Sequence, residues 1–269
     1  MKIKFRKVFR GSDQPFIVDW LAQEIDLSKV KIKQTISLGG LWIKSGPKRK
    51  RVKKIKTQLQ NSEFVEFFYD SNLVLPEMDH VQEIYKGHGF GVWYKPAGIV
   101  SDSTPYSDQG CLTKFISDRY KNAHLIQRLD REVSGLMLVC YNKKLTSFFS
   151  EQLKVKQIIK KYQVEVLGHC ENSGVIEITL DDKETYTEFK RVKVLEDTSL
   201  CEVEIKTGRF HQIRRHFDLI GHPVMGDPRY GENNKNKTGL KLVAHYCGFI
   251  HPRSKKYHEI SLNKELCLF

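Results

Sequence analysis

The sequence lacks the patterns that would assign it to a membrane, secreted or zinc-binding class. No apolar run approaches the roughly 20 residues that span a bilayer, and the basic N-terminus MKIKFRKVFRG has no apolar stretch typical of a secretion signal. Its six cysteines form no C-x-x-C pair and no Cys/His group with zinc spacing. We therefore expect a cytoplasmic protein with no metal site and no membrane partner.

Acidic residues are scarce relative to basic ones. The chain has 32 Asp and Glu against 45 Lys and Arg, which gives a net charge of +13. Residues 1–70 hold 16 Lys or Arg and 7 Asp or Glu, so this quarter of the chain carries +9 of that charge. A strongly basic protein usually binds a polyanion, most commonly nucleic acid. The concentration of positive charge in residues 1–70 predicts a dedicated binding module at the N-terminus. Charge that serves solubility alone is the alternative.

The first 70 residues are predicted to form one small α/β domain. Ile17, Trp20 and Leu21 lie at i, i+3 and i+4, the spacing of an amphipathic helix. Ser28 can cap a second helix, which Gly39-Gly40 would end. The predicted elements are helices at 16–25 and 29–38, a strand at 41–43, a basic loop at 44–56 with 8 Lys or Arg in 13 positions, and a strand at 62–69.

That order of elements resembles the alpha-L RNA-binding domain, a module shared with a ribosomal protein of the small subunit. In that family the second helix and the following loop lie on RNA, and a run so dense in cations attracts phosphates through counterion release. A solvated loop without a ligand is the other interpretation of the basic run. The resemblance implies an RNA-binding surface made of Lys29, Lys31, Lys33, Lys48, Arg49, Lys50 and Arg51.

Residues 71–82 contain a proline and few periodic apolar positions, so we interpret them as a linker to a larger domain at 83–269. Strands dominate that domain, and they do not alternate regularly with helices. The predicted class is α+β, with a mixed, mostly antiparallel sheet and flanking helices. Strands are predicted at 90–94, 135–141, 162–167, 187–194 and 200–205, and helices at 146–155 and 211–220.

Two stretches of the larger domain concentrate residues suited to chemistry. Arg128-Leu-Asp130-Arg131 sets a carboxylate between two arginines just before an apolar strand, where it should remain ionised and could serve as a nucleophile or a base. A surface ion pair is the alternative there. The second stretch, residues 206–231, crowds side-chain donors into one turn and the start of a helix, which suits an anionic partner. These donors are Arg209, His211, Gln212, Arg214, Arg215 and His216.

Taken together, these stretches resemble the RluA-like family of RNA pseudouridine synthases. The family motif around the catalytic aspartate, H-R-L-D-x-x-T-S-G-L, is matched by residues 127–136, and T-G-R-x-H-Q-I-R is intact at residues 207–214. G-H-P-I-x-G-D-x-x-Y-G is matched at 221–231, K-P-x-G at 95–98, and a Lys-Tyr pair at 161–162. The chain departs from the family at Gln127, Val133 and Phe210, where the usual residues are His, Thr and a small residue.

The resemblance implies an isomerase that needs no cofactor and no metal. Asp130 would act at the sugar, Arg214 would pair with it, and Tyr162 would lie against the uracil ring. Arg128 would stand next to the flipped nucleotide, and Arg209, His211 and Gln212 would contact RNA. We expect ribosomal RNA as the first substrate candidate and transfer RNA as the second, with no DNA partner and a monomeric chain.

Two other classes compete with this prediction. A catalytically silent RNA-binding or ribosome-assembly factor could share the fold, but it would have no reason to keep Asp130, Tyr162 and Arg214 together. A basic nuclease or another hydrolase would require a metal cluster or a second carboxylate paired with Asp130, and the sequence predicts neither.

Overall fold

The computed structural model describes residues 1–269, which divide into two compact units. Met1–Glu77 and Asp102–Lys114 form the first unit, and Met78–Ser101 and Phe115–Phe269 form the second. None of the helices has the length and apolarity that a membrane span requires. The helices are α1 Ile17–Glu24, α2 Lys29–Leu38, α3 Leu112–Tyr120, α4 Lys143–Lys154, α5 Gln212–Leu219 and a short 3-10 helix at Lys264–Leu266.

The first unit is a four-stranded antiparallel sheet with two helices. Its strands are β1 Lys2–Val8, β2 Leu41–Ser45, β3 Lys48–Val52 and β4 Phe64–Asp70, in the order β1-β4-β2-β3. Ser28 accepts a hydrogen bond from the Lys31 N–H at the start of α2, and Gly39 ends the helix with a left-handed φ of 94°. The core is formed by fully buried apolar residues that include Ile17, Leu21, Ile32, Ile36, Leu41, Leu59, Val65 and Phe67.

The prediction of a basic loop at 44–56 is wrong for its middle part, because residues 48–52 form β3. This strand pairs with β2 across a two-residue turn at Gly46-Pro47, so Trp42 lies opposite Arg51. The guanidinium carbons of Arg49 and Arg51 lie 4.1 and 4.3 Å from the Trp42 ring centroid. Hydrogen bonding to β2 and stacking on an aromatic ring thus outweigh the low strand propensity of a cationic run.

Residues 102–114 belong to the first unit, although the sequence assigns them to the larger domain. The Trp42 indole N–H donates to the Pro105 carbonyl oxygen at 3.0 Å. The Ser107 hydroxyl donates to the Leu38 carbonyl oxygen at 2.9 Å, and Arg51 donates to the Thr104 carbonyl oxygen at 2.6 Å. These bonds join segments more than fifty residues apart, and no local pattern predicts them.

The second unit contains a ten-stranded sheet. Its path is β10-β11-β12-β9-β13-β8-β6-β5, with β14 paired to β13 and β7 paired to β8. Every pair is antiparallel except β13 with β8, so the predicted mixed, mostly antiparallel α+β class is confirmed. The strands are β5 Gln82–Lys86, β6 Phe90–Lys95, β7 His124–Leu125, β8 Ser134–Cys140, β9 Ile159–Leu167, β10 Ser173–Ile176, β11 Thr187–Val194, β12 Thr198–Ile205, β13 Leu242–Ile250 and β14 Tyr257–Ser261.

The parallel pair of β13 and β8 requires a glycine. Gly135 has a φ of 130°, and it lies opposite Ala244 in the register. A Cβ atom at Gly135 would lie 2.3 Å from the Ala244 carbonyl oxygen and 2.5 Å from its nitrogen. Any side chain would therefore push β13 away from β8. Gly135 follows Asp130 by five residues, so this close approach fixes where the loop carrying Asp130 enters the sheet.

Candidate active site

Asp130 lies in an irregular loop between β7 and β8, and neighbouring segments clamp this loop on both sides. The Ser101 hydroxyl donates to the Leu129 carbonyl oxygen and accepts from the Leu129 N–H at 3.0 Å. The Gly98 N–H donates to the Arg131 carbonyl oxygen at 2.7 Å. The residues before and after Asp130 are thus both held by the segment 95–101, which leaves the carboxylate little freedom to shift.

Lys95 anchors the same segment from the interior. Its side chain is fully buried, and its Nζ donates to the carbonyl oxygens of Pro96 at 3.0 Å and Ile99 at 2.8 Å, with a longer 3.4 Å contact to that of Arg131. Burial lowers the pKa of Lys95 to about 7, although Asp130 and Glu132 oppose the shift. The K-P-x-G element therefore shapes the loop under Asp130 through backbone carbonyls.

Arg214 extends from α5 into a group of three carboxylates. Its residue exposure is 1%, and it makes a two-pronged pair with Asp227 through Nε to Oδ2 at 2.6 Å and Nη2 to Oδ1 at 2.8 Å. The remaining nitrogen, Nη1, lies 3.3 Å from an oxygen of Asp130 and 3.3 Å from an oxygen of Glu132. The short bidentate pair orients the guanidinium, and the longer contacts direct its free edge toward Asp130.

Asp227 is itself held as a charged group. Burial opposes its ionisation, but hydrogen bonds from Arg214 and from the backbone N–H groups of Arg229 and Tyr230 lower the pKa of Asp227 below its usual range. Its exposure is 0%. A fully buried carboxylate with four donors is a fixed counter-ion for Arg214, and Asp130 and Glu132, with side chains 26% and 38% exposed, remain the carboxylates open to a ligand.

His211 stands beside Asp130 in a strained backbone conformation. It precedes α5 with a φ of 54°, in the left-handed region. Its Nδ1 lies 3.0 Å from the Tyr230 hydroxyl oxygen, and its Nε2 lies 3.6 Å from an Asp130 oxygen. Burial lowers the pKa of His211, Asp130 opposes the shift, and Arg214 and Arg229 add to it. The ring is therefore neutral near pH 7.

A cavity of about 430 Å³ opens over this group. Asp130, His211 and Arg214 lie at its buried side, and exposed side chains form its rim. Its size and its convergent polar groups are those of a small-ligand or nucleotide site. The lining residues are Asp130, Arg131, Glu132, Phe210, His211, Arg214, Pro228 and Arg229.

Similarity to known proteins identifies the family. An RNA pseudouridylate synthase family model matches residues 90–219. An uncharacterized RNA pseudouridine synthase of Mycoplasma genitalium is 30% identical over 267 residues, covering 88% of this chain and 84% of the relative. The chain belongs to the RNA pseudouridine synthase family. Members of this family are isomerases that act on RNA, as the sequence motifs predict.

Two further similarities within the pseudouridine synthases agree with this placement. The ribosomal large subunit pseudouridine synthase D of Buchnera aphidicola is 30% identical, covering 68% of this chain and 69% of the relative. The solved structure of human RNA pseudouridylate synthase domain containing 1 has a TM-score of 0.60 at 21% identity, covering 71% of this chain and 86% of that chain. This likeness shows a shared fold. The chain spans 60% of the length of one curated relative that it matches, an RNA pseudouridine synthase of Chloroflexus aurantiacus, and 85% of the length of another, from Mycoplasma pneumoniae.

The structure brings together some of the residues predicted for the synthase site. Asp130, Arg214 and His211 meet at the cavity, and Arg128 and Arg209 are exposed. Tyr162 lies on β9 opposite Ala244, 6% exposed, and it does not line the cavity. Burial, reinforced by Cys247 and Asp130, raises the pKa of Tyr162, so it is a neutral phenol near pH 7.

Two residues predicted to contact RNA have their polar groups used inside the protein. Gln212 is 3% exposed; its amide donates to the Tyr186 carbonyl oxygen and the Thr187 hydroxyl, and its Oε1 accepts from Thr207 and the Arg209 N–H. We correct its role to shaping the turn before α5. Arg51 is half-buried and holds the carbonyls of residues 39 and 104, whereas Lys29, Lys31, Lys33, Lys48, Arg49 and Lys50 are exposed.

Three charged residues of this site carry roles that the motifs alone do not indicate. Asp227 is the buried partner of Arg214, Glu132 is a further carboxylate on the same guanidinium, and Lys95 supports the Asp130 loop. Asp227 belongs to the matched stretch 221–231, so its position in a family motif is the signal that could have found it. Only tertiary contact shows that it faces Arg214.

Proposed function

We propose that this chain converts uridine to pseudouridine in ribosomal RNA, with Asp130 as the carboxylate that acts at the sugar. The observation that supports the proposal is the partly exposed Asp130 beside a buried, oriented Arg214 in an open cavity. The bond from the sugar C1′ to uracil N1 breaks, and a bond from C1′ to uracil C5 forms. The hydrogen on C5 leaves as a proton and N1 gains one, so the reaction is balanced without oxidation.

Arg214 has an electrostatic role in this mechanism. Its guanidinium is buried and fixed by Asp227, so it requires little reorganisation when charge changes at Asp130. The same contact holds the carboxylate in one orientation, which favours attack on the sugar or removal of a neighbouring sugar proton. Glu132 shares the guanidinium with Asp130, so Arg214 faces two carboxylates at the cavity and Asp227 behind it.

Tyr162 is assigned to the uracil ring. Because burial keeps its phenol neutral, it is a poor base for the C5 proton and a good apolar surface for a flat ring. We propose that the base packs against Tyr162 while it turns between its two attachment points. Because Tyr162 is 6% exposed and does not line the cavity, this contact requires the base to enter more deeply than the cavity lining.

The target uridine must leave its stack to reach Asp130, which costs a few kcal/mol. Arg128 lies two residues before Asp130, and its exposed side chain makes no hydrogen bond or ion pair within the chain. We propose that Arg128 fills the vacated stack or holds the neighbouring phosphate. An Arg128→Ala variant should lose RNA affinity or turnover, and unchanged values of both would refute this role.

The first unit, called the N-terminal unit from here on, is proposed to act as an alpha-L type RNA-binding domain. Its exposed cations on α2 and β3 favour phosphate contacts, which contribute affinity independent of sequence. Two relatives are named as ribosomal large subunit synthases, and this supports ribosomal RNA ahead of transfer RNA.

The test is to incubate the protein with unmodified ribosomal and transfer RNA transcripts and to map pseudouridine by chemical labelling. Asp130→Ala is the matched variant. We expect sites in ribosomal RNA with the wild type and none with Asp130→Ala. Pseudouridine in transfer RNA alone would make transfer RNA the substrate. Tight RNA binding without any pseudouridine would favour a catalytically silent RNA-binding factor.

A further inference from the structure

Phe210 is an exposed aromatic residue at the rim of the active-site cavity. The residue is 59% exposed, although it lines the same cavity as Asp130. It also occupies the x position of the T-G-R-x-H-Q stretch at residues 207–212. A single exposed apolar residue is ordinary on a protein surface, so what indicates a ligand here is the place of this ring at the cavity of Asp130, together with its neighbours.

The ring of Phe210 is held in place by its neighbour. Phe210 and His211 stack with centroids 3.6 Å apart and an interplanar angle of 22°. His211 is fixed in turn by its left-handed backbone and by its contact with the Tyr230 hydroxyl. Non-glycine residues in this conformation cluster at functional sites. The position of the Phe210 ring relative to Asp130 is therefore set by a short rigid connection.

The surroundings of Phe210 favour a nucleotide over an apolar peptide. Arg229 places its guanidinium carbon 5.9 Å from the ring centroid, and Arg131 lines the same cavity. Arg209 precedes Phe210 and is exposed. A flat ring among several guanidinium groups matches a ligand with a π-face and a phosphate, which is the combination that proteins use for single-stranded nucleic acid.

The distance between Arg229 and Phe210 leaves nearly enough room for a base. Stacked bases are spaced about 3.4 Å apart along a strand, so a base between the two groups would need about 7 Å. Arg229 is an exposed, long side chain, and an outward movement of about 1 Å would open this space. A phosphate of the same strand could then pair with the displaced guanidinium.

We propose that Phe210 is a stacking platform for the nucleobase adjacent to the target uridine. The proposal rests on the proposed function, because it assumes that the target base enters the cavity toward Asp130. The target uridine occupies the buried side, and its neighbour in the strand lies at the rim on Phe210. Stacking tolerates any base, so Phe210 positions the RNA strand and does not read its sequence.

The test measures stacking directly and does not depend on turnover. Two short hairpin RNAs carry one uridine in the loop, with the fluorescent base 2-aminopurine on its 5′ side in one and on its 3′ side in the other. 2-Aminopurine loses fluorescence when it stacks on an aromatic ring. The variants are Phe210→Ala, Phe210→Leu and Phe210→Trp, and Leu219→Ala is the control because Leu219 is 56% exposed on α5 outside the cavity.

We expect the wild-type chain to quench one of the two hairpins at saturation. Phe210→Ala and Phe210→Leu should lose this quenching and bind that hairpin about tenfold more weakly. Phe210→Trp and Leu219→Ala should retain the quenching and the affinity of the wild type. Leucine is apolar and of similar size, so its failure would separate stacking from simple burial. Equal quenching by the wild type and Phe210→Ala, or no quenching by the wild type on either hairpin, would overturn the proposal.

A second measurement separates this proposal from the proposed function. Pseudouridine formation is followed with the wild type, Phe210→Ala and Asp130→Asn on the RNA that responds in the mapping experiment. Quenching that depends on Phe210 in a chain that forms no pseudouridine would contradict the proposed function and support the platform. Pseudouridine formation with an unchanged KM in Phe210→Ala would support the function and overturn the platform.

Discussion

Two ion pairs of equal length show how differently the two units use charge. In the N-terminal unit Lys29 lies 2.6 Å from Asp19, with side chains 58% and 49% exposed. In the second unit Arg214 lies 2.6 Å from Asp227, with side chains 2% and 0% exposed. Exposed pairs contribute about 0–1 kcal/mol, whereas removing one partner of a buried pair costs about 3–5 kcal/mol. The exposed pair is therefore expected to add little to stability, whereas the buried pair holds the geometry of Arg214.

The largest effect is expected from Asp227→Ala. This change leaves the buried guanidinium of Arg214 without its bidentate partner, so the free energy of unfolding should fall by about 3–5 kcal/mol. Urea denaturation monitored by tryptophan fluorescence measures this decrease. A decrease below about 1 kcal/mol, as for a surface pair, would mean that Asp130 and Glu132 suffice to balance the charge of Arg214. The buried pair would then contribute no more to stability than the exposed pair of the first unit.

A pH-dependent effect is expected from Lys95. Its pKa is about 7 in the folded chain because of burial, against an ordinary value of 10.5. Below pH 7 both states bind the proton, and between pH 7 and 10.5 only the unfolded state does. The free energy of unfolding should therefore rise with pH in this window, by at most about 1.4 kcal/mol per unit.

Lys95→Met tests this expectation, because methionine fills similar space and has no titratable group. Denaturation curves collected from pH 6 to pH 10 should show the wild type gaining stability relative to Lys95→Met above pH 7. A constant difference across the range would show that Lys95 keeps its proton in the folded chain.

A moderate effect is expected from neutralising the exposed cations of β3. Lys48→Gln with Lys50→Gln should weaken binding to all RNAs by a similar factor and reduce the slope of log K against log salt by about 0.7–0.9 for each phosphate that the lysines no longer neutralise. Fluorescence anisotropy at several salt concentrations measures both. Lys144→Gln, an exposed lysine of α4, is the control, and an equal slope for the double variant and the control would reject β3 as an RNA surface.

Substitution is a sharper test of this surface than deletion of residues 1–70. Residues 102–114 pack within the N-terminal unit and use hydrogen bonds to residues 38, 42 and 51. A deletion would leave that segment without its partners, so weaker RNA binding could follow from misfolding alone.

The smallest effect is expected from Asp19→Ala. The pair with Lys29 is exposed on both sides, so the free energy of unfolding should change by less than about 1 kcal/mol, and less still at high salt. The same denaturation experiment measures it. A decrease as large as that of Asp227→Ala would show that exposure does not decide the value of these pairs.

The sequence predicts most of the local structure of this chain. Helices α1, α2, α4 and α5 and the strands at 90–95 and 134–140 follow from apolar periodicity and from the caps Ser28 and Gly39. Strand β1 is missing from the prediction, although Lys2-Ile3-Lys4-Phe5 alternates as a strand should. Its cationic residues obscure the apolar pattern.

Features that depend on distant contacts are not accessible from the sequence. Strand β3 forms because it pairs with β2, and residues 102–114 join the first unit through bonds to residues far away in the chain. The same holds at the candidate site. Asp130 and Arg214 follow from the family motifs, but the anchoring of Arg214 by Asp227 and the support of the loop by Lys95 appear only when α5, the 221–231 segment and β6 meet in space.

The most direct test of the central claim is the release of the uracil C5 hydrogen during one turnover. RNA made with uridine tritiated at C5 is mixed with excess wild-type protein or with Asp130→Asn, and tritium in water is measured together with RNA binding. We predict release matched by pseudouridine formation for the wild type, and binding without release for Asp130→Asn. Release by Asp130→Asn, or binding without release by the wild type, would contradict the assignment of Asp130 as the catalytic carboxylate of an active synthase.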